Sequence, residues 1–170
     1  MQEEYDFDHL IQLAKEHRFR ELKAQLVEMN EVDIAAFLEE LEDRELLVVV
    51  FRMLPKDMAA DIFTYLEDSD TQEQLISDLT DTELRAVLSD LYLDDAVDII
   101  EDMPANVVSR ILRNTDPATR SQINELLSYP KDSAGSIMTP EFVALHKNAT
   151  VEESFARIRK IGIDKETVYT

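Results

Sequence analysis

The chain has 170 residues, with 37 acidic against 17 basic side chains and a formal net charge of −20 at pH 7. Such a charge repels nucleic acid and anionic lipid while attracting cations and basic partners, so DNA and RNA binding are disfavoured. With no cysteine, disulfide staples, thiolate metal sites and a cysteine nucleophile are excluded, and stability must come from packing.

The N-terminus, Met-Gln-Glu-Glu-Tyr-Asp, lacks the basic start and apolar stretch of a secretory signal. From there an apolar-x-x-apolar-apolar-x-x-apolar pattern, which places four side chains on one face of a helix, recurs along the chain. Its copies are Leu22/Gln25/Leu26/Met29, Ile34/Phe37/Leu38/Leu41, Leu47/Val50/Phe51/Leu54 and Ala59/Ile62/Phe63/Leu66, with Leu10 as an earlier candidate start. They continue through Gln72/Leu75/Ile76/Leu79, Leu84/Val87/Leu88/Leu91, Ala96/Ile99/Ile100/Met103 and Val108/Ile111/Leu112/Thr115. The starts lie 12 or 13 residues apart, and every position but Gln25, Gln72 and Thr115 is apolar.

Two units make a period near 25 residues, the size of a pair of short helices, each too short to be stable alone. The expected fold is therefore mainly all-α, a superhelical repeat of short helices, with an irregular bundle as the compact alternative. Boundary signals agree: Pro55, Pro104 and Pro117 fall between units, and Asp70 and Thr80 stand at capping-box distance from Glu73 and Glu83. The longest apolar run, Leu46 to Phe51, is far short of the roughly 20 residues that cross a bilayer. Cytosolic exposure is the expectation.

The chemistry changes at Tyr129-Pro130, which divides a helical-repeat domain, 1–130, from a segment at 131–170. The second segment balances six acidic against six basic residues, so the whole charge excess lies in the first. Lys131 to Ser136 reads as a loop and Phe142 to His146 as a short strand. Thr150 to Glu153 is a capping box opening a helix to about Ile161, stopped by Gly162, and a second strand is expected near Thr167. A β–α–β unit without partners does not hold itself together, so this segment is expected to be the opening of a larger domain.

Ser133-Ala-Gly-Ser-Ile-Met-Thr-Pro-Glu-Phe-Val-Ala-Leu-His146, followed by Thr150-Val-Glu-Glu-Ser-Phe155, resembles the start of the CBS domain of MgtE magnesium transporters. Upstream, Leu54-Pro-Lys56 with Ala59-Ala-Asp61, Leu93-Asp-Asp-Ala-Val-Asp98, and Asp116-Pro117 through Tyr129 resemble that family's acidic helical domain in the same order. The resemblance implies the cytosolic regulatory region of a homodimeric membrane Mg²⁺ channel, joined to its own pore domain. It further implies that helical and paired CBS domains close the pore when cytosolic Mg²⁺ is high.

Asp94 and Asp98 are four residues apart, so on a helix they share a face, with Asp95 and Asp102 flanking them. Mg²⁺ prefers oxygen ligands, keeps several waters and takes one or two carboxylates. On spacing alone, a solvated helix cap is the stronger reading of Asp94 or Asp95. The resemblance carries the Mg²⁺ role onto Asp94 and Asp98, onto Asp61 after Ala59-Ala60, and onto Ser136, where relatives tend to have a glycine offering its carbonyl. Serine departs from that pattern, and its backbone angles are the point at issue.

Other chemistries find little support. Glu67 to Gln72 faintly suggests a calcium loop, but Glu73 and Leu79 occupy the positions that need glycine and a bidentate acid. His9, His17 and His146 show no zinc-motif spacing. No phosphate loop, nucleophile elbow or metal-hydrolase motif accompanies the acid pairs, so the chain is not expected to be an enzyme. The rival to an Mg²⁺ sensor is an acidic helical scaffold for a basic protein or peptide.

Overall fold

A computed structural model describes residues 5–131, 133–162 and 165. Eleven α-helices follow one another, and no strand forms among the described residues. They are α1 Phe7–Lys15, α2 Phe19–Leu26, α3 Glu31–Glu39, α4 Arg44–Met53, α5 Lys56–Thr64 and α6 Ser69–Asp78. The remainder are α7 Asp81–Asp90, α8 Leu93–Glu101, α9 Ala105–Asn114, α10 Pro117–Leu126 and α11 Val151–Ile161. The first three positions of each copy of the sequence pattern from Leu22 onward fall in one helix, α2 to α9, with the fourth just past its end, and Leu10 lies in α1.

The helices are short because the chain caps them. Side chains of Asp6, Asn30, Asp43, Asp68, Thr80, Asp116 and Thr150 accept amide hydrogens from the first turns of α1, α3, α4, α6, α7, α10 and α11. These bonds satisfy amides that the helix itself leaves without partners. Thr80 with Glu83 and Thr150 with Glu153 form complete capping boxes. The expected Asp70–Glu73 box does not form, because Asp68 starts α6 earlier by accepting from both the Thr71 amide and its hydroxyl. Pro55 and Pro104 stand immediately before α5 and α9, and Pro117 opens α10.

Apart from Gln25, which is exposed, every position of the repeat pattern is buried or half-buried. The core is continuous from Leu10 to Leu126, with Phe37, Ile62, Phe63, Leu75 and Ile76 at its centre. Burying one such side chain stabilises a fold by about 1.5–3 kcal/mol. The two polar exceptions are satisfied: Gln72 donates to the Leu66 carbonyl at 2.8 Å and Thr115 to that of Ile111 at 2.9 Å. Packing runs from α3 to α5, α5 to α7 and α7 to α9, while α4 packs on α6 and α8 on α10. α10 breaks the pattern, burying Ile123 and Leu126.

Beyond Tyr129 the chain turns, then runs without regular structure to α11. The expected strand at Phe142 to His146 is absent. No described segment pairs with it, Phe142 and Leu145 are exposed, and the Ala144 carbonyl instead accepts from the Arg157 guanidinium at 2.9 Å. The expected strand near Thr167 lies outside the described residues. α11 forms where the Thr150 box predicts and ends at Gly162, yet it buries none of its side chains.

Candidate functional site

α8 owes its position to one strongly apolar face: Leu93, Ala96, Val97, Ile99 and Ile100 are buried. The opposite face carries the acids. Asp94 and Asp95 lie in the first turn, half-buried, and Asp98 follows one turn later with its side chain toward solvent. Neither Asp94 nor Asp95 is the N-cap, a place taken by Tyr92, whose side chain caps nothing. The cap comes from far along the chain: a Glu141 carboxylate oxygen accepts the Leu93 amide hydrogen at 2.8 Å.

Partial burial, then the charges of Glu101 and Asp102, hold the Asp98 carboxyl above the ordinary carboxylate range. Some acids of α6 and α7 pair with arginine. Arg44 pairs with Asp78 at 2.6 Å, Arg52 with Glu83 at 2.8 Å, and Arg110 with Asp81 at 3.3 Å. Arg110 also donates to the Ile76 and Leu79 carbonyls, tying α9 to α6. Among the described residues, Asp61 and Asp98 take no part in the ion pairs.

The other two candidate ligands sit apart from this pair in the chain. Asp61 is exposed on α5, which packs against α3 and α7, and its carbonyl accepts from the Tyr65 amide and the Thr64 hydroxyl. Ser136 is half-buried in the turn after α10, where its amide and hydroxyl both donate to Ser133. Among the described residues His17 is the only non-glycine with positive φ, so Ser136 has no need of glycine's freedom. Gly135 is the constrained neighbour: a Cβ there would stand 2.5 Å from the Tyr129 ring.

No group of three or more carboxylates or imidazoles close enough to hold a metal ion occurs among the described residues. The acids of α8 thus form no such group with other described residues. Beside α8 lies a cleft of about 620 Å³, bounded by Arg85, Leu88, Leu93, Asn114, Ile123 and Glu141. Glu141 thus closes one side of the cleft while capping the acidic helix. Nothing in its local sequence marks it; the available signal was Tyr92, an N-cap without a useful acceptor.

The family description "MgtE intracellular N domain" matches residues 29–132. The magnesium transporter MgtE of Thermus thermophilus is 34% identical over 154 residues, which cover 88% of this chain and 34% of that protein. The magnesium transporter MgtE of Bacillus subtilis is 20% identical over 159 residues, covering 94% and 35%. The chain spans about a third of the length of these curated relatives.

A crystal structure of the cytosolic domain of the Mg²⁺ channel MgtE in complex with ATP superposes with a TM-score of 0.82 at 33% identity, covering 96% of this chain and 66% of that one. The soluble part of a magnesium transporter superposes at 0.76 and 23% identity, covering 96% and 64%, a likeness of fold alone. No described helix is long and apolar enough to cross a membrane. Helix order, acidic segments and the match across 29–132 lead to one assignment: this chain belongs to the MgtE intracellular N domain family.

Proposed function

We propose that this chain is the Mg²⁺-sensing regulatory region of a magnesium transporter or channel, on the cytoplasmic side of the cell membrane. Residues 1–130 act as a superhelical sensor, and 131–170 open a CBS domain that is completed elsewhere in a longer protein. Asp94 and Asp98 hold hydrated Mg²⁺, with Asp61 and the Ser136 carbonyl offering further oxygens. The completed CBS domains join two copies, and the pore domain of the same full-length chain receives the signal.

The observation that carries this reading is the charge on α8. Burial, then the charges of Glu101 and Asp102, raises the Asp98 carboxyl, and among the described residues Asp98 joins none of the ion pairs. With Mg²⁺ scarce, like charges hold the helical and CBS parts loosely together. Mg²⁺ screens and bridges them, and the compact state gains stability by binding linkage. Few protein ligands and reluctant dehydration place the response on the order of millimolar Mg²⁺.

The test compares wild type with Asp94→Ala/Asp98→Ala by limited proteolysis during Mg²⁺ titration, against Na⁺ of equal ionic strength. Wild type gains resistance with Mg²⁺ alone, and the variant keeps its helical signal but loses that gain. Equal protection by Na⁺, together with tight salt-sensitive binding of a basic peptide, would establish the acidic scaffold instead.

A further inference from the structure

We propose that Glu141 is a positioning residue: it clasps the segment after residue 130 to the N-terminus of α8, fixing Asp94 and Asp98 relative to Ser136. The significance for ion sensing rests on the function proposed above; the clasp itself stands on geometry. α8 enters from Tyr92, which has extended backbone angles and no side-chain cap bond. Its ring carries the hydroxyl too far out to reach the first-turn amides, so the helix start lacks the local acceptor that most others in this chain possess.

Glu141 supplies that acceptor from 48 residues away, its carboxylate taking the Leu93 amide hydrogen at 2.8 Å. A carboxylate at a helix N-terminus makes a charge-assisted bond and meets the positive end of the helix dipole. The clasp is also held from its own side. The Glu141 amide donates to the Thr139 hydroxyl at 3.2 Å, and Pro140 between them fixes one backbone angle. Ser136 belongs to the same run of chain, five residues earlier. Any movement of this run away from α8 must break the Leu93–Glu141 bond.

The position is electrostatically poised, since Glu141 reaches a helix whose next two residues are Asp94 and Asp95. The helix terminus attracts the Glu141 carboxylate, and Asp94 and Asp95 stand in the same first turn. A contact made by one carboxylate can open and close, and an ion that binds the closed arrangement better favours it. α11 has no buried side chain, and among the described residues the Glu141 carboxylate joins this run to the acidic helix.

The experiment uses the 170-residue chain and trypsin, because Lys131 and Lys147 flank the clasp and are exposed. Without divalent ions, Glu141→Ala is expected to be cut at Lys147 roughly tenfold faster, and Glu141→Gln, which keeps a neutral acceptor, by an intermediate factor. Cleavage equal to wild type in Glu141→Ala would overturn the proposal. A second variant separates clasping from capping. Tyr92→Ser/Glu141→Ala gives α8 its own cap, so protection of the first-turn amides against hydrogen exchange returns while fast cleavage at Lys147 persists. Return of both would show that Glu141 merely caps.

Millimolar Mg²⁺ provides an independent arm. Slower cleavage of wild type, with several-fold more Mg²⁺ needed for the same effect in Glu141→Ala, places the clasp in the ion response. No effect of Mg²⁺ on wild type, with accelerated cleavage of Glu141→Ala, sinks the ion-sensing reading and leaves the clasp standing.

Discussion

Asp98 and Glu83 are both acids on short helices, and their surroundings drive them in opposite directions. The Arg52 guanidinium, helped by Thr80, pulls Glu83 down to about 2. Its contribution is complete above the ordinary glutamate range and is lost as pH falls through that range toward about 2. Urea unfolding of Glu83→Gln should lose less stability than wild type between pH 5 and 2. At neutral pH the substitution should cost about 1 kcal/mol, since it weakens a capping box and a solvent-screened ion pair. Asp98 has the reverse sign. With its carboxyl raised by burial and by Glu101 and Asp102, ionisation disfavours the fold, a penalty absent in acid that grows as pH rises through the raised value. Asp98→Asn should therefore be more stable than wild type at pH 7 by about 0.5 kcal/mol, the exposed charge being screened, with the gap closing in acid and in Mg²⁺. Gly135→Ala forces the Tyr129 ring to move, because the added Cβ would meet ring atoms at 2.5–2.9 Å. Faster tryptic cleavage at Lys131, with no loss of helical signal, is the expected result.

At the scale of the element, each helix stands on its cap and its apolar stripe. Phe63 on α5 is 1% exposed and contacts the Phe51 ring at 6.2 Å between centroids, so Phe63→Ala should cost about 3–5 kcal/mol in urea unfolding. A cost below about 1 kcal/mol would mean that α5 does not belong to the common core. This level of structure was largely legible in the sequence. The pattern starting at Leu22 and repeating to Val108 identifies eight helices, and prolines and capping residues mark their starts. α10 escaped the pattern because Ile123, Leu126 and Leu127 keep its internal spacing but begin 15 residues after Val108 rather than 12 or 13. The strand at Phe142 to His146 failed because a short apolar run says nothing about whether another strand lies alongside. Asp68 displaced Asp70 as a cap because three oxygen-bearing residues in a row offer competing starts.

For the whole molecule, the question is where a charge of −20 is tolerated and where it is used. Acids on α6 and α7 join arginines of α4 and α9, so part of the excess holds the stack together. The acids of α8 were legible as a candidate site from the Asp94–Asp98 spacing and the resemblance around it. Glu141 was not, because a contact spanning 48 residues leaves no local trace. The cleft beside α8 likewise arises only when α7, α8, α9 and α10 come together with Pro140 and Glu141. Two structures of related cytosolic or soluble parts share this arrangement over 96% of the chain, which makes the packing of the helices a property of the fold and the charge on α8 the feature to interrogate. The decisive measurement is protease resistance between residues 131 and 149 as Mg²⁺ is raised to a few millimolar, set beside Na⁺ at the same ionic strength. Protection by Mg²⁺ alone, abolished in Asp94→Ala/Asp98→Ala, is the predicted result; identical curves for the two ions in wild type would contradict the account.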